Sequence, residues 1–171
     1  MTTESVAPEA LHAWAIYLQA AEEARRRGDR RVGTDHVLLA LLEDPSIEAV
    51  LGVGLQEARA ALESLDCEAL GALGLGSGAD APPLPMRAVP KKPRIRDVAK
   101  KDRLRMVPAA KRVLEEAYKS KGHRKLQVTG PEVLAQILAL RPPDPAAALL
   151  VALGLNTSEV RRRLDAVTPD N

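Results

Sequence analysis

Three consecutive polar residues, Thr34, Asp35 and His36, open the stretch VGTDHVLLALLED at residues 32–44. A hydroxyl, a carboxylate and an imidazole at a helix start can receive a ligand, or they can cap the helix. A capping hydroxyl contributes about 1 kcal/mol, and an acid in the first turn adds a few tenths more. The spacing leaves both uses open. Thr34 reads as the N-cap, Asp35 as the first helical residue, and His36 as a solvent-facing first-turn residue rather than an acid–base group. His12 and His123 fall in separate segments, and no motif ties a histidine to a metal or a nucleophile. No catalytic residue, metal ligand or cofactor is therefore expected.

A second group of residues is basic. Met86 to Met106 holds nine Lys or Arg against two Asp, a local charge of +7 in a chain whose formal net charge is +2. Lys91, Lys92, Arg94, Arg96, Lys100 and Lys101 could neutralise the phosphates of a polyanion, an attraction that falls steeply with salt. Prolines interrupt this run, however, and it contains no aromatic residue for stacking on bases. Nucleic acid is thus the alternative partner, beside a solvated connector or one that meets an acidic protein surface. The glycines of GLGLGSG lack the GxGxxG spacing and a preceding strand, which makes them flexible linker rather than a nucleotide loop.

The elements that must position these residues are helical. The chain has no Phe, and its aromatics are Trp14, Tyr17 and Tyr118, so the core must be aliphatic and alanine-based. Leu11, Trp14, Leu18 and Ala21 recur at helical spacing before an Arg-rich last turn, with Gly28 as a stop. Val37, Leu38, Leu41 and Leu42 mark one buried face of the next helix, and two further helices follow. Cys67, the single cysteine, reads as a thiol tolerated beside the core, which excludes an internal disulfide.

Past a Gly/Pro-rich stretch the pattern restarts. VTGPEVLAQIL aligns without a gap on VGTDHVLLALL, pairing Val32 with Val128, Val37 with Val133, Leu38 with Leu134 and Leu42 with Leu138. Gly130 and Pro131 stand where Thr34 and Asp35 stand, at the expected N-cap and first helical position. EVRRRL echoes EARAAL, and Gly154-Leu155 matches Gly54-Leu55 more naturally than it matches Gly52. The expectation is an all-α fold, a duplicated four-helix repeat forming one pseudo-twofold domain. The first repeat spans 8–70, the connector 71–105 and the second repeat 106–168. No signal peptide is apparent, and PAAALLVALGL is too short to span a bilayer, so a cytoplasmic protein without a membrane partner is expected.

The run EEARRRGDRRVGTDHVLLALLED, with PAAKRVLEEAYKSKGH and LGLNTSEVRRRL, resembles the N-terminal domain of Clp-type protein-unfolding ATPases of the ClpA, ClpB and ClpC group. The resemblance covers roughly residues 8 to 168, and no GxxxxGK[ST] phosphate loop is present. It implies a non-catalytic interaction module that binds a protein or peptide partner, such as Clp substrates or Clp machinery, as an adaptor, decoy or regulator. In some members of the group a carboxylate in each repeat meets the guanidinium of phosphorylated arginine, and a nearby threonine and backbone groups receive the phosphate. Asp35 stands at the first such carboxylate position, and Thr34 and His36 keep its surroundings. In the second repeat that position is Pro131, with Glu132 one residue late as a weak counterpart, and the expected threonines are replaced by Ala10 in the first repeat and Val107 in the second. The aromatic positions of the family carry Glu9 and Met106. The resemblance therefore implies one candidate ligand-binding cluster, Thr34, Asp35 and His36, and no second site.

Overall fold

The computed structural model describes residues 13–74, 103–119 and 128–167. Among the described residues the chain forms α1 (Ala13–Arg27), β1 (Arg31–Val32), α2 (Thr34–Leu41), α3 (Pro45–Leu51), α4 (Leu55–Ala72), β2 (Arg105–Met106), α5 (Pro108–Lys119), α6 (Gly130–Ile137), α7 (Pro145–Ala152) and α8 (Thr157–Val167). The fold is all-α, a four-helix pattern used twice. The one departure is a two-residue parallel ladder pairing Arg31 with Arg105 and Val32 with Met106. The Val107 N–H extends it by donating to the Val32 carbonyl at 2.9 Å. No periodicity can announce an element of two residues.

The helix α1 buries Ile16, Tyr17, Ala20, Ala21 and Ala24, whereas Trp14 and Leu18 only flank the core. The buried face is thus rotated from the expected stripe, and Leu11 lies outside the described residues. Three alanines on that face let α2 pack close, and the bulkier Trp14 and Leu18 fill the margins. Gly28 ends the helix at φ +83°, and the Asp29 N–H returns to the Ala24 carbonyl at 2.8 Å. Glu23 is also buried; the Arg59 side chain on α4 grips its carboxylate with Nε at 3.0 Å and with Nη2.

Every side chain from Thr34 to Leu41 is buried in α2, so this helix has no solvent face. It is enclosed by α1 and α4 of its own half and by α5, α6 and α7 of the other. The two halves interlock further, since α4 packs on α7 and α3 on α8. A helix buried on every side, as this one is beyond its polar first turn, is one that folds at the centre.

The short helices α3 and α7 start alike. Asp44 and Asp144 are N-caps followed by Pro45 and Pro145, and each carboxylate accepts the backbone N–H two residues on. Gly154 ends α7 at φ +67°, as Gly52 ends α3 at φ +74°, while Gly54 is the extended N-cap of α4. Gly154 therefore corresponds to Gly52 and not to Gly54. Asn156 takes the capping task before α8 by accepting the Ser158 and Glu159 N–H groups. Beyond this turn Ala58 and Leu62 align with Val160 and Leu164, all buried.

The end of α4 leaves the core. Leu70 and Leu73 are exposed there, as is Cys67, which does not sit beside the core as expected. Near the other end of the fold, Arg103 to Met106 run extended along α1. The Tyr17 hydroxyl donates to the Leu104 carbonyl at 2.8 Å, and the Arg103 guanidinium lies 4.6 Å from the centre of the Trp14 ring. Burial pushes the Tyr17 phenol up, against the lowering influence of Arg25 and Arg103.

Candidate functional site

The start of α2 is set one residue earlier than the sequence suggests. Gly33 is the N-cap, in extended backbone, which makes Thr34, Asp35 and His36 the first three helical residues. The second half shows the same offset, with Thr129 as the N-cap of α6 and Gly130 as its first residue. Gly33 is favoured because the Asp35 carboxylate folds back over it; a Cβ at residue 33 would overlap Asp35 Oδ1.

All three side chains of the cluster are buried, with exposures of 1% for Thr34, 7% for Asp35 and 3% for His36. His36 is therefore not solvent-facing. Its Nδ1 accepts the Gly33 N–H at 3.0 Å, and its Nε2 lies 3.0 Å from Asp29 Oδ2. The neutral ring protonated on Nε2 satisfies both contacts. The same Nδ1 is 3.3 Å from Asp35 Oδ1, a contact that becomes a hydrogen bond only when Nδ1 carries a proton.

Asp35 Oδ2 accepts from Arg27 Nη1 at 3.2 Å. Arg27 also reaches Asp66 on α4 through Nη2 at 2.5 Å, and its Nε is 3.6 Å from Asp29. One guanidinium thus collects three carboxylates. Burial alone pushes the Asp35 carboxyl up, but with the His36 ring doubly protonated its Nδ1–H bond and its charge, together with the charge of Arg27 and the His36 backbone N–H, outweigh it and hold the carboxyl below its ordinary 3.8.

Thr34 faces the other half of the fold. Its hydroxyl donates to Asp144 Oδ1 at 2.7 Å, and its oxygen lies 3.3 Å from the Ala146 N–H. The hydroxyl does not cap its own helix.

Beside this start lies a cleft of about 420 Å³ shared by the two halves. Arg27, Asp35 and His36 line it with Arg30 and Arg31, while Leu62 of α4, Val107 and Pro145 add apolar surface. Its electrostatics suit a charged side chain. Among the described residues no group of three or more His, Cys, Asp or Glu could hold a metal ion. No helix among them is long and apolar enough to cross a membrane.

Glu132 occupies the place of His36, not that of Asp35, because its Oε2 accepts the Thr129 N–H at 2.8 Å as His36 accepts that of Gly33. Asp35 and His36 line the cleft, whereas Thr34, turned toward Asp144, and Glu132 do not. Lys91, Lys92, Arg94, Arg96, Lys100 and Lys101 lie outside the described residues. Sequence reasoning missed Arg27, Asp29, Asp66 and Asp144. The run RRRGDRR announced charge but not which arginine turns inward, and the repeated Asp-Pro pair was the one available sign of Asp144.

Comparison with known proteins places this architecture. Residues 11–140 match the Clp repeat (R) N-terminal domain. Over 164 residues, 91% of the chain, it is 30% identical to an ATP-dependent Clp protease ATP-binding subunit ClpA homolog, chloroplastic, of Brassica napus, and spans 15% of that protein. It is 30% identical over the same length to the chaperone protein ClpC1, chloroplastic, of Arabidopsis thaliana, and spans 14% of it. The duplicated helical pattern and the match over most of its length agree: the chain belongs to the Clp N-terminal repeat domain family.

Proposed function

We propose that the chain is a non-catalytic module that binds a polypeptide, serving as an adaptor, decoy or regulator of Clp-dependent proteolysis. The observation that carries this reading is the cleft at the start of α2, which both halves of a Clp-type fold line with charged and apolar groups together. Such a mixed lining recognises a side chain by charge and the adjoining backbone by contact. The relatives are named as a protease's ATP-binding subunit and as a chaperone, which supports a partner drawn from that machinery or its substrates.

Asp35 is the proposed contact for a cationic side chain, with Thr34 and His36 holding the start of α2 in place. A ligand guanidinium reaches Asp35 only by replacing Arg27, its present partner. The test is affinity capture with the intact protein followed by identification of the bound proteins. Enrichment of Clp components or their substrates is expected, and enrichment of neither overturns the reading. For the subsite, calorimetry with phosphoarginine compares the intact protein with Asp35→Ala; no heat of binding to the intact protein removes Asp35 from the proposal.

A further inference from the structure

We infer that the edge built by β1 and β2, which presents Arg30, Arg31 and Arg105, docks an acidic segment of a partner polypeptide. This deepens the interaction reading above and rests on it. In sequence the two arginine-rich runs are far apart, and only the ladder brings them together. Arg31 and Arg105 are register partners, so their backbones lie about 4.8 Å apart and both side chains leave the same face. Both are exposed, while Val32 is buried and Met106 half-buried beneath them. Like charges held directly opposite each other oppose pairing unless an anion lies between them.

Nothing described in the chain supplies that anion. Among the described residues no carboxylate lies within ion-pair distance of Arg30, Arg31 or Arg105. The acids that line the cleft beside Arg30 and Arg31 are already engaged: Asp29 meets His36 and Arg27, Asp35 meets the same two residues, and Asp66 meets Arg27. The cleft therefore turns its negative charge inward and leaves its β1 rim positive. Arginine forks suit carboxylates, which they can hold through two parallel hydrogen bonds. The rim also adjoins apolar surface from Leu62, Val107 and Pro145, which fits the body of a peptide better than an isolated ion. A nucleic-acid strand is disfavoured, because Tyr17 is buried and Trp14 is covered by Arg103, leaving neither ring open at this edge for stacking on bases.

The experiment is fluorescence anisotropy with the intact protein and a labelled peptide of ten glutamates, with an oligothymidylate of equal charge as the competing probe. Arg31→Glu and Arg105→Glu are compared with Arg161→Glu, the same charge change on the exposed part of α8. The expected result is peptide binding at low salt that Arg31→Glu and Arg105→Glu each weaken by about tenfold or more, with Arg161→Glu within about twofold of the unaltered protein. Equal weakening by Arg161→Glu, tighter binding of the oligothymidylate, or no peptide binding each overturns the docking edge. The affinity capture described above separates the two readings. Capture of Clp components that survives both edge variants overturns the edge alone, whereas failure of the unaltered protein to capture them overturns the interaction reading.

Discussion

Thr34 on α2 donates its hydroxyl to Asp144, the N-cap of α7, at 2.7 Å and across 110 residues of chain. The first half shows why this bond exists. Asp44, the matching cap of α3, receives a hydroxyl from Ser46 two residues on, at 2.8 Å. The residue two past Asp144 is Ala146, which offers only its backbone N–H. Thr34 supplies the missing hydroxyl from the opposite half. The reciprocal bond cannot form, because Gly130 stands at the start of α6, against Ile47 and Asp44. The twofold pattern is broken in hydrogen bonding at the place where the halves meet.

Thr34→Ala is therefore expected to cost about 1–3 kcal/mol, since it removes a donor from a partly buried carboxylate. Ala146→Ser added to that variant returns a local hydroxyl of the kind Asp44 has, and should recover a substantial part of the loss. Urea denaturation of the two single variants and the double variant measures the coupling; independent, additive effects would show that Thr34 and residue 146 do not serve the same carboxylate.

The buried fork between Glu23 and Arg59 ties α1 to α4. Removing one partner leaves the other charge with a poorly solvated face, so Arg59→Ala is expected to destabilise the fold by roughly 3 kcal/mol. EEA recurs at residues 22–24 and 115–117, which aligns Glu23 with Glu116, and Glu116 pairs instead with exposed Lys119 within α5. Glu116→Gln should then shift stability by less than about 0.5 kcal/mol. Chemical denaturation of both variants checks this asymmetry, and equal effects would contradict it.

What the sequence made legible followed from periodicity. VLLALL and its partner VLAQIL identify the central helices, and EARAAL and EVRRRL identify the outer ones, because repetition of buried positions is a one-dimensional signal. The register of the α2 start was not legible. Gly33 takes the cap in one half and Thr129 in the other, although Pro131 replaces Asp35 there, so the register follows the backbone and not the capping side chain that the sequence offers at Thr34. Nor was the burial of Glu23 legible, for its partner lies 36 residues away on another helix. At the candidate site the sequence indicated the three residues of TDH but not their engagement by Arg27 and Asp29 from the end of α1 and by Asp144 from the start of α7. The gap-free alignment sets Glu132 one residue past the Asp35 position, opposite His36, and its bond to the Thr129 N–H gives it the contact that His36 makes with Gly33.

The depressed Asp35 carboxyl fixes the sign of an acid effect. Because its folded value lies below 3.8, the unfolded chain binds more protons than the folded one between the two values. Stability from Asp35 is complete above the ordinary carboxyl range and is lost as pH falls through the folded value. The difference in stability between the unaltered protein and Asp35→Asn should be constant from about pH 6 to about pH 5 and shrink below about pH 4. Urea midpoints across that series report it, and a difference that grows on acidification would reverse the assignment.

Arg27 is the strongest control on the proposed cationic subsite, because its guanidinium already holds the Asp35 carboxylate that a ligand guanidinium would need. Any such ligand competes with an intramolecular group that is always charged and geometrically matched. Arg27→Ala removes that competitor and leaves Asp29, Asp35 and Asp66 around the vacated space, so affinity for a guanidinium should rise by about tenfold. The added negative field acts in the opposite sense on a phosphate. Free arginine should consequently gain more than phosphoarginine, and Asp35→Asn placed on top of Arg27→Ala should remove most of the gain for both. Calorimetry with the two ligands against the two variants gives the comparison. An Arg27→Ala protein that binds arginine no better than the unaltered one would mean that the Asp35 carboxylate is held for the fold alone.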